Sequence, residues 1–247
     1  MESPSLILVS YQNALGRAMD VVANNVANVN TTGFKREDTL FETLVVRPTA
    51  NEKYDFAVDK ATFRDTSPGP IITTGNPLDL ALQGEGYLSV QTPNGTKYMR
   101  AGAFQLNGDG EITTGLGDKL LGESDQPITI SSEIESVNIS SDGVITGKTG
   151  EDTTVTQLGR VKVVKFDREQ ELQNAGNGQY STTQTAHVMP VADVHVMQGM
   201  IERSNVESVR EMTKMITILR AYQQTTALAQ QESDRMKDAI TKLSRST

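Results

Sequence analysis

The sequence predicts an α+β fold: an antiparallel β-rich central domain flanked by N- and C-terminal amphipathic helices that pair as a coiled-coil-like helical domain. Three observations predict it. Residues 204–247 contain neither glycine nor proline, whereas 67–199 is rich in both. Apolar residues recur in steps of three and four at both ends of the chain. In the middle the hydrophobic period falls to two, the signature of strands.

At the N-terminus Leu8, Tyr11, Leu15, Ala18, Val22, Val26 and Val29 mark one helix face, 21 residues in six steps. Gly33, after Asn30-Thr31-Thr32, suits a left-handed C-terminal cap. These residues define an N-terminal helical segment over 1–36, and a linker or extended segment follows over 37–70. The β-rich domain is expected over 71–184. There Leu78, Leu80 and Leu82 alternate with Asp79, Ala81 and Gln83 as in a half-buried strand. Hairpin turns are signalled at Pro93-Asn94-Gly95, at Asn107-Gly108-Asp109-Gly110 and at Asp142-Gly143, because asparagine and glycine tolerate the positive φ such turns require. Val161–Phe166 reads as a further strand. A return linker is expected over 185–203, and the C-terminal helix over 204–247.

Ser204 with Glu207 three residues later fits a capping box at the start of that helix. Along it Met212, Ile216, Leu219, Tyr222, Thr226, Ala229, Ser233, Met236, Ile240 and Leu243 span 31 residues in nine steps. That spacing is nearer the period of a coiled-coil seam than that of a straight helix. Burying this stripe does not by itself offset the conformational entropy of ordering so long a helix. It calls for the N-terminal helix and for helices of other molecules. Candidate subunit-interface residues are therefore Leu8, Tyr11, Leu15, Val22, Val26 and Val29, with Met212, Ile216, Leu219, Tyr222, Met236, Ile240 and Leu243.

Composition narrows the function. With 31 acidic and 23 basic side chains the chain carries a formal charge of -8 and a pI near 4.9, the wrong sign for neutralising phosphates, so no nucleic-acid partner is expected. The absence of cysteine excludes disulfides, thiolate metal sites and a cysteine nucleophile. Met1-Glu2-Ser3-Pro4 lacks the basic region of a signal peptide, and Leu6–Val9 is too short for its apolar core. Neither a cleaved signal nor direct membrane insertion is expected.

Reactive chemistry is poorly signalled, and the chain is not expected to be an enzyme or to bind a cofactor or metal. Gly84-Glu85-Gly86 lacks the third glycine of a dinucleotide fingerprint, with Ser89 in its place, and reads better as a strand-connecting turn. Asn107, Asp109 and Glu111 alternate like calcium ligands, but Ile112 stands where an EF-hand loop needs glycine. His187, Asp193 and His195 would share one face of an extended strand, without a standard zinc spacing. Met212, Met215 and Met236 follow helical spacing and read as adaptable packing. A cell-wall hydrolase would need a cleft with paired acidic residues, and none can be assembled from this pattern.

Three longer motifs remain. Ala23-Asn24-Asn25-Val26-Ala27-Asn28-Val29-Asn30-Thr31-Thr32-Gly33-Phe34-Lys35 resembles the N-terminal signature of flagellar rod and hook proteins. Within it Asn24, Asn25, Asn28, Thr32, Gly33 and Phe34 carry the likeness. Thr74-Gly75-Asn76-Pro77-Leu78, continuing through Gly84 and Gly86 to Leu88, is similar to the central motif of that family, and Arg100–Phe104 to its usual continuation. Ser204-Asn205-Val206, continuing to Ile216 and followed by Arg220-Ala221-Tyr222, resembles the third. Within the family, the modest length and the opening Asp20-Val21-Val22-Ala23-Asn24-Asn25 resemble the proximal rod branch, with the distal rod branch as the alternative. Hook subunits usually carry extra β domains for which this chain has no room.

The resemblance implies export through the flagellar type III apparatus without a cleaved signal. It also implies polymerisation with copies of itself and other rod proteins in the periplasmic basal body. Paired terminal helices would line an axial channel, inside an outer β layer, in a shaft that transmits torque. An export chaperone or coiled-coil adaptor would account for the helices but leave the β domain without a purpose.

Overall fold

The computed structural model describes residues 3–49, 52–149 and 155–245, so the outermost residues of both terminal segments lie outside the described residues. The chain divides into a helical unit (1–27, 36–65 and 206–247) and a β unit (28–35 and 66–205).

In the helical unit, α1 (Ser3–Ala27) packs against α2 (Ser208–Arg245). Gln12 donates to Thr226 and Asn25 to Glu211, which makes the two helices antiparallel. Ala18, Val22 and Ile218 are buried between them, with Leu15, Met19, Val26 and Met215 packed around. On α2 the buried line is Glu211, Ile218 and Thr225, each seven residues from the next, the repeat of a coiled-coil seam. The stripe expected from sequence is displaced by one residue from that line. Met212, Ile216, Leu219 and Tyr222 are exposed, because one residue along a helix is a turn of about 100°.

Both expected helix boundaries move. α2 begins at Ser208, where the Glu207 carbonyl accepts the Glu211 N–H at 3.0 Å, so Ser204 is not its cap. α1 ends at Ala27 and Val29 lies beyond it, in the following turn. Gly33 does adopt a positive φ of 68°, but six residues past the helix, with its N–H bonded to the Glu202 carbonyl at 2.8 Å.

Residues 37–70, read from sequence as a linker or extended segment, contain a long antiparallel ribbon of β1 (Glu37–Thr49) and β2 (Glu52–Arg64). No Asn-Gly or Asp-Gly pair marks its turn, which is why the pattern passed as a linker. An isolated two-stranded ribbon is marginal in water, and this one contacts α1 through both strands.

The β unit carries a nine-stranded antiparallel sheet and smaller sheets around a large apolar core, with a second, aromatic cluster of Tyr87, Val164, Phe166, Leu172 and Tyr180. Its hairpins turn where the sequence signalled them, between Tyr87–Thr92 and Gly95–Met99, between Phe104–Leu106 and Ile112–Thr114, and between Ile134–Ile139 and Val144–Thr149. The strand Leu80–Leu82 is buried on both faces, not one, with Leu80 and Leu82 in the apolar core, and both its edges are paired, to strands Ala101–Gly102 and Val196–Gln198. Residues 185–203 contain three short paired strands, so the expected return linker is part of the sheets.

Gly86 shows how closely this unit is packed. Its φ is 111°, and a Cβ there would meet Met189 Sδ at 2.5 Å and Val163 Cγ1 at 2.9 Å. Gly86→Ala is expected to lower stability by about 2–4 kcal/mol. Gly75→Ala, at φ 77° with nothing within 4 Å, carries only the backbone strain of about 1–2 kcal/mol. Urea midpoints of the two variants check the difference.

Candidate assembly interface

Among the described residues no group of three or more His, Cys, Asp or Glu side chains could hold a metal ion. A 3₁₀ turn at Val191–Asp193 breaks the extension that would have aligned His187 with His195, and His187 instead faces Asp167 at 3.5 Å. Asn107 and Glu111 are engaged with each other. Asn107 Oδ1 accepts the N–H groups of Asp109 and Glu111, its Nδ2 donates to Glu111 at 2.8 Å, and Lys119 pairs with the same carboxylate at 2.8 Å. The lysine and asparagine bonds hold the Glu111 carboxyl below its ordinary range. The Gly84-Glu85-Gly86 turn presents two carbonyls to the Arg100 guanidinium, the opposite polarity from a phosphate cradle.

The motif residues instead form structural joints. In the helical unit the fully buried Asn25 imitates a backbone strand partner. Its Oδ1 accepts the Glu37 N–H at 2.9 Å, and its Nδ2 donates to the Glu37 carbonyl at 2.7 Å and to Glu211 at 3.2 Å. One amide thus ties the end of α1 to the base of the ribbon and the start of α2. Arg36 bonds Asp65 at 3.2 Å and approaches Glu211 at 3.8 Å, and Arg64 pairs with Glu37 at 3.0 Å. Asn24 is exposed on α1.

In the β unit, Asn28 accepts from the Thr31 hydroxyl, Thr32 is half-buried, and Phe34 is buried. Lys35, also buried, donates to Glu202 at 2.6 Å and to the Ser67 carbonyl at 2.8 Å. Arg100 reaches the other Glu202 oxygen at 3.5 Å. Burial first, and then the Arg100 cation, hold the Lys35 amine below the usual lysine range, against the opposing pull of Glu202. Gly75 and Asn76 shape the turn before Leu78, whose N–H bonds Asn76 Oδ1 at 3.2 Å. Ser204 is buried, and Asn205 donates to the Ser67 carbonyl at 3.1 Å; Val206, in the helical unit, is also buried. Sequence reasoning missed the roles of Glu202 and Glu211. The signal available for Glu211 was its place seven residues before Ile218.

The exposed large apolar side chains concentrate in the helical unit. Of the 22 exposed large apolar side chains among the described residues, 15 lie in it. Those on α2 include Met212, Ile216, Leu219, Tyr222, Ile240 and Leu243, and Val209 is 76% exposed. On α1 Tyr11 is exposed and Leu8 half-buried, whereas Val22 is buried and Leu15 and Val26 are packed inside the helix pair. Met236 is half-buried. Contiguous exposed apolar surface marks interaction sites. Among the described residues no helix is long and apolar enough to cross a membrane.

Residues 6–35 match the family described as flagella basal body rod protein, 81–147 the flagellar hook protein FlgE/F/G D1 domain, and 197–242 the flagellar basal body rod FlgEFG protein C-terminal region. The chain is 32% identical over 247 residues to the flagellar basal-body rod protein FlgF of Caulobacter vibrioides, covering 98% of both chains. The chain belongs to the flagellar basal-body rod protein family.

A second rod-family relative, FlgF of Mesorhizobium japonicum, is 32% identical with 97% of both chains covered. FlgG of Agrobacterium fabrum is 33% identical over 83% of this chain and 86% of its own. The joints at Asn25 and Lys35 fall inside or at the edge of the first rod-family match, and Glu202 and Glu211 inside the third. The rod-family signatures therefore coincide with the polar contacts that bring distant parts of the chain together within each unit.

Proposed function

We propose that this chain is a structural subunit of the flagellar rod, of the proximal FlgF type. It polymerises through its helical unit with copies of itself and with other rod proteins. The resulting shaft transmits motor torque and encloses the export channel. The observation that carries this reading is the exposed apolar stripe Val209, Met212, Ile216 and Leu219 on a helix already paired on its neighbouring face. Near full-length similarity to two FlgF proteins supports the proximal assignment. The FlgG similarity keeps a distal rod subunit as the second reading. The subunit reaches the periplasmic rod through the flagellar type III apparatus without a cleaved signal, and it acts by many weak contacts, not by catalysis.

Leu219→Asp tests this directly. The side chain is exposed, so the variant keeps the fold, with stability changed by about 0.5 kcal/mol or less, but is lost from basal bodies. Val22→Asp has a different meaning, because Val22 is buried between α1 and α2 and a charge there disrupts the helical unit itself. Circular dichroism with immunodetection in purified basal bodies separates the two. Leu219→Asp incorporated at the level of the unsubstituted chain would sink the proposed interface.

A further inference from the structure

The chain contains three Asn-Gly pairs, Asn94-Gly95, Asn107-Gly108 and Asn177-Gly178. This dipeptide has a chemistry of its own. The glycine nitrogen can close a five-membered ring on the asparagine Cγ, and a residue without a Cβ does not shield the approach. The reaction needs a carboxamide free to turn, a glycine N–H that no acceptor holds, and backbone on either side that is not clamped.

The three pairs differ in all of these. The Asn107 carboxamide is pinned by three hydrogen bonds, to the Asp109 N–H, the Glu111 N–H and the Glu111 carboxylate. Asn94-Gly95 is clamped through its backbone. The Thr92 hydroxyl accepts the Asn94 N–H at 3.2 Å and donates to the Gly95 carbonyl at 2.7 Å, and Gly95 opens a strand in register with Thr92. Asn177 is exposed and sits in the turn between strands Gln173–Asn174 and Gln179–Ser181. Its φ is 54° and that of Gly178 is 71°, and the Gln179 N–H closes the turn on the Gly176 carbonyl at 2.9 Å, the pattern of a type I′ turn. Among the described residues neither the Asn177 carboxamide nor the Gly178 N–H makes a hydrogen bond.

We infer that Asn177 is a site of spontaneous deamidation, with water as the co-reactant. The Gly178 nitrogen gives up its proton to solvent base and attacks Asn177 Cγ. The new N–Cγ bond forms, the Cγ–Nδ2 bond breaks, and Nδ2 leaves as ammonia. Water then opens the cyclic imide. Cleavage of the new bond gives aspartate, and cleavage of the original peptide bond gives isoaspartate, which carries one more methylene in the backbone. Nothing is oxidised or reduced. The product falls where the fold leaves no slack. Gly178 lies so close to the Thr32 carbonyl that a Cβ there would collide with it. Two residues on, the Tyr180 hydroxyl donates to the Gly33 carbonyl and accepts the Lys35 N–H, both at 3.2 Å. Isoaspartate at 177 therefore loosens the signature loop 31–35 from the strand that holds it, whatever the chain assembles with.

The full chain is incubated in mildly alkaline buffer, folded and in urea, and the peptide around each pair is followed by mass spectrometry. In the folded chain Asn177 is expected to exchange its amide NH₂ for OH about tenfold or more faster than Asn107, whose three bonds must open first. Asn177 should also react ahead of Asn94. In urea the three rates converge. Equal rates in the folded chain overturn the assignment, as does an Asn177 amide that survives there while it reacts in urea. Isoaspartyl methyltransferase labelling identifies the lengthened product. Hydrogen exchange over 31–35 should be faster in the labelled chain than in Asn177→Asp, which adds the charge without the methylene, and equal exchange overturns the loosening of the loop.

Discussion

Asn25→Leu is expected to destabilise the helical unit by about 3–5 kcal/mol, since each buried polar group left without a partner costs about 1–3 kcal/mol. Leucine keeps the branched outline of asparagine with bulkier methyl groups, but strands the Glu37 N–H, the Glu37 carbonyl and a buried Glu211 oxygen together. Hydrogen exchange within α1, the ribbon base and α2 should accelerate by about a hundredfold or more, while amides of the β unit keep their protection. Asn25→Asp is expected to be no milder. It keeps the acceptor for the Glu37 N–H but loses the donor and sets a second carboxylate against Glu211. Unchanged exchange in α2 would show that the amide is not the joint it forms in the structure.

Glu202→Ala should have a comparable effect on the β unit, about 3–5 kcal/mol, because it leaves the buried Lys35 without its counter-charge. It also removes the acceptor of the Gly69 N–H at 2.9 Å. Replacing both partners, as in Lys35→Met with Glu202→Leu, is expected to cost much less than Glu202→Ala alone, since no uncompensated charge stays buried. Urea unfolding of the full chain measures both, and additivity of the single variants would contradict the pairing.

The same site gives a pH dependence. Lys35 titrates below 10.5 in the folded unit. Between that lowered value and 10.5 the unfolded chain binds the proton more tightly, so this lysine makes stability rise with pH across the window. Lys35→Met should flatten that slope.

The candidate interface was legible in part. Periodicity identified the apolar residues of both ends, but it assigned one stripe of α2 to the seam that α1 fills. In the structure the α1-facing line runs one residue earlier, through Glu211, Ile218 and Thr225. A helix with apolar residues at successive positions, as at Met215-Ile216 and Ile218-Leu219, offers two faces of similar hydrophobicity, and sequence spacing cannot rank them. The polar residues resolve the choice. Glu211 is buried because Asn25 meets it, and that contact joins residues 186 positions apart.

The sequence by itself determined the α+β class, the three glycine-marked hairpins and the family signatures at Asn25, Gly75-Asn76 and Ser204-Asn205. Each of these rests on local backbone preference or on short-range periodicity, which neighbouring residues dictate. Only the tertiary structure decided that residues 37–64 pair as a ribbon and that Leu80–Leu82 is buried on both faces. It alone showed Lys35 closing on Glu202, and α2 with one face covered by α1 and an apolar face open. Those outcomes depend on contacts between segments far apart in the chain, where burial is set by what arrives from elsewhere and not by the pattern of the segment itself.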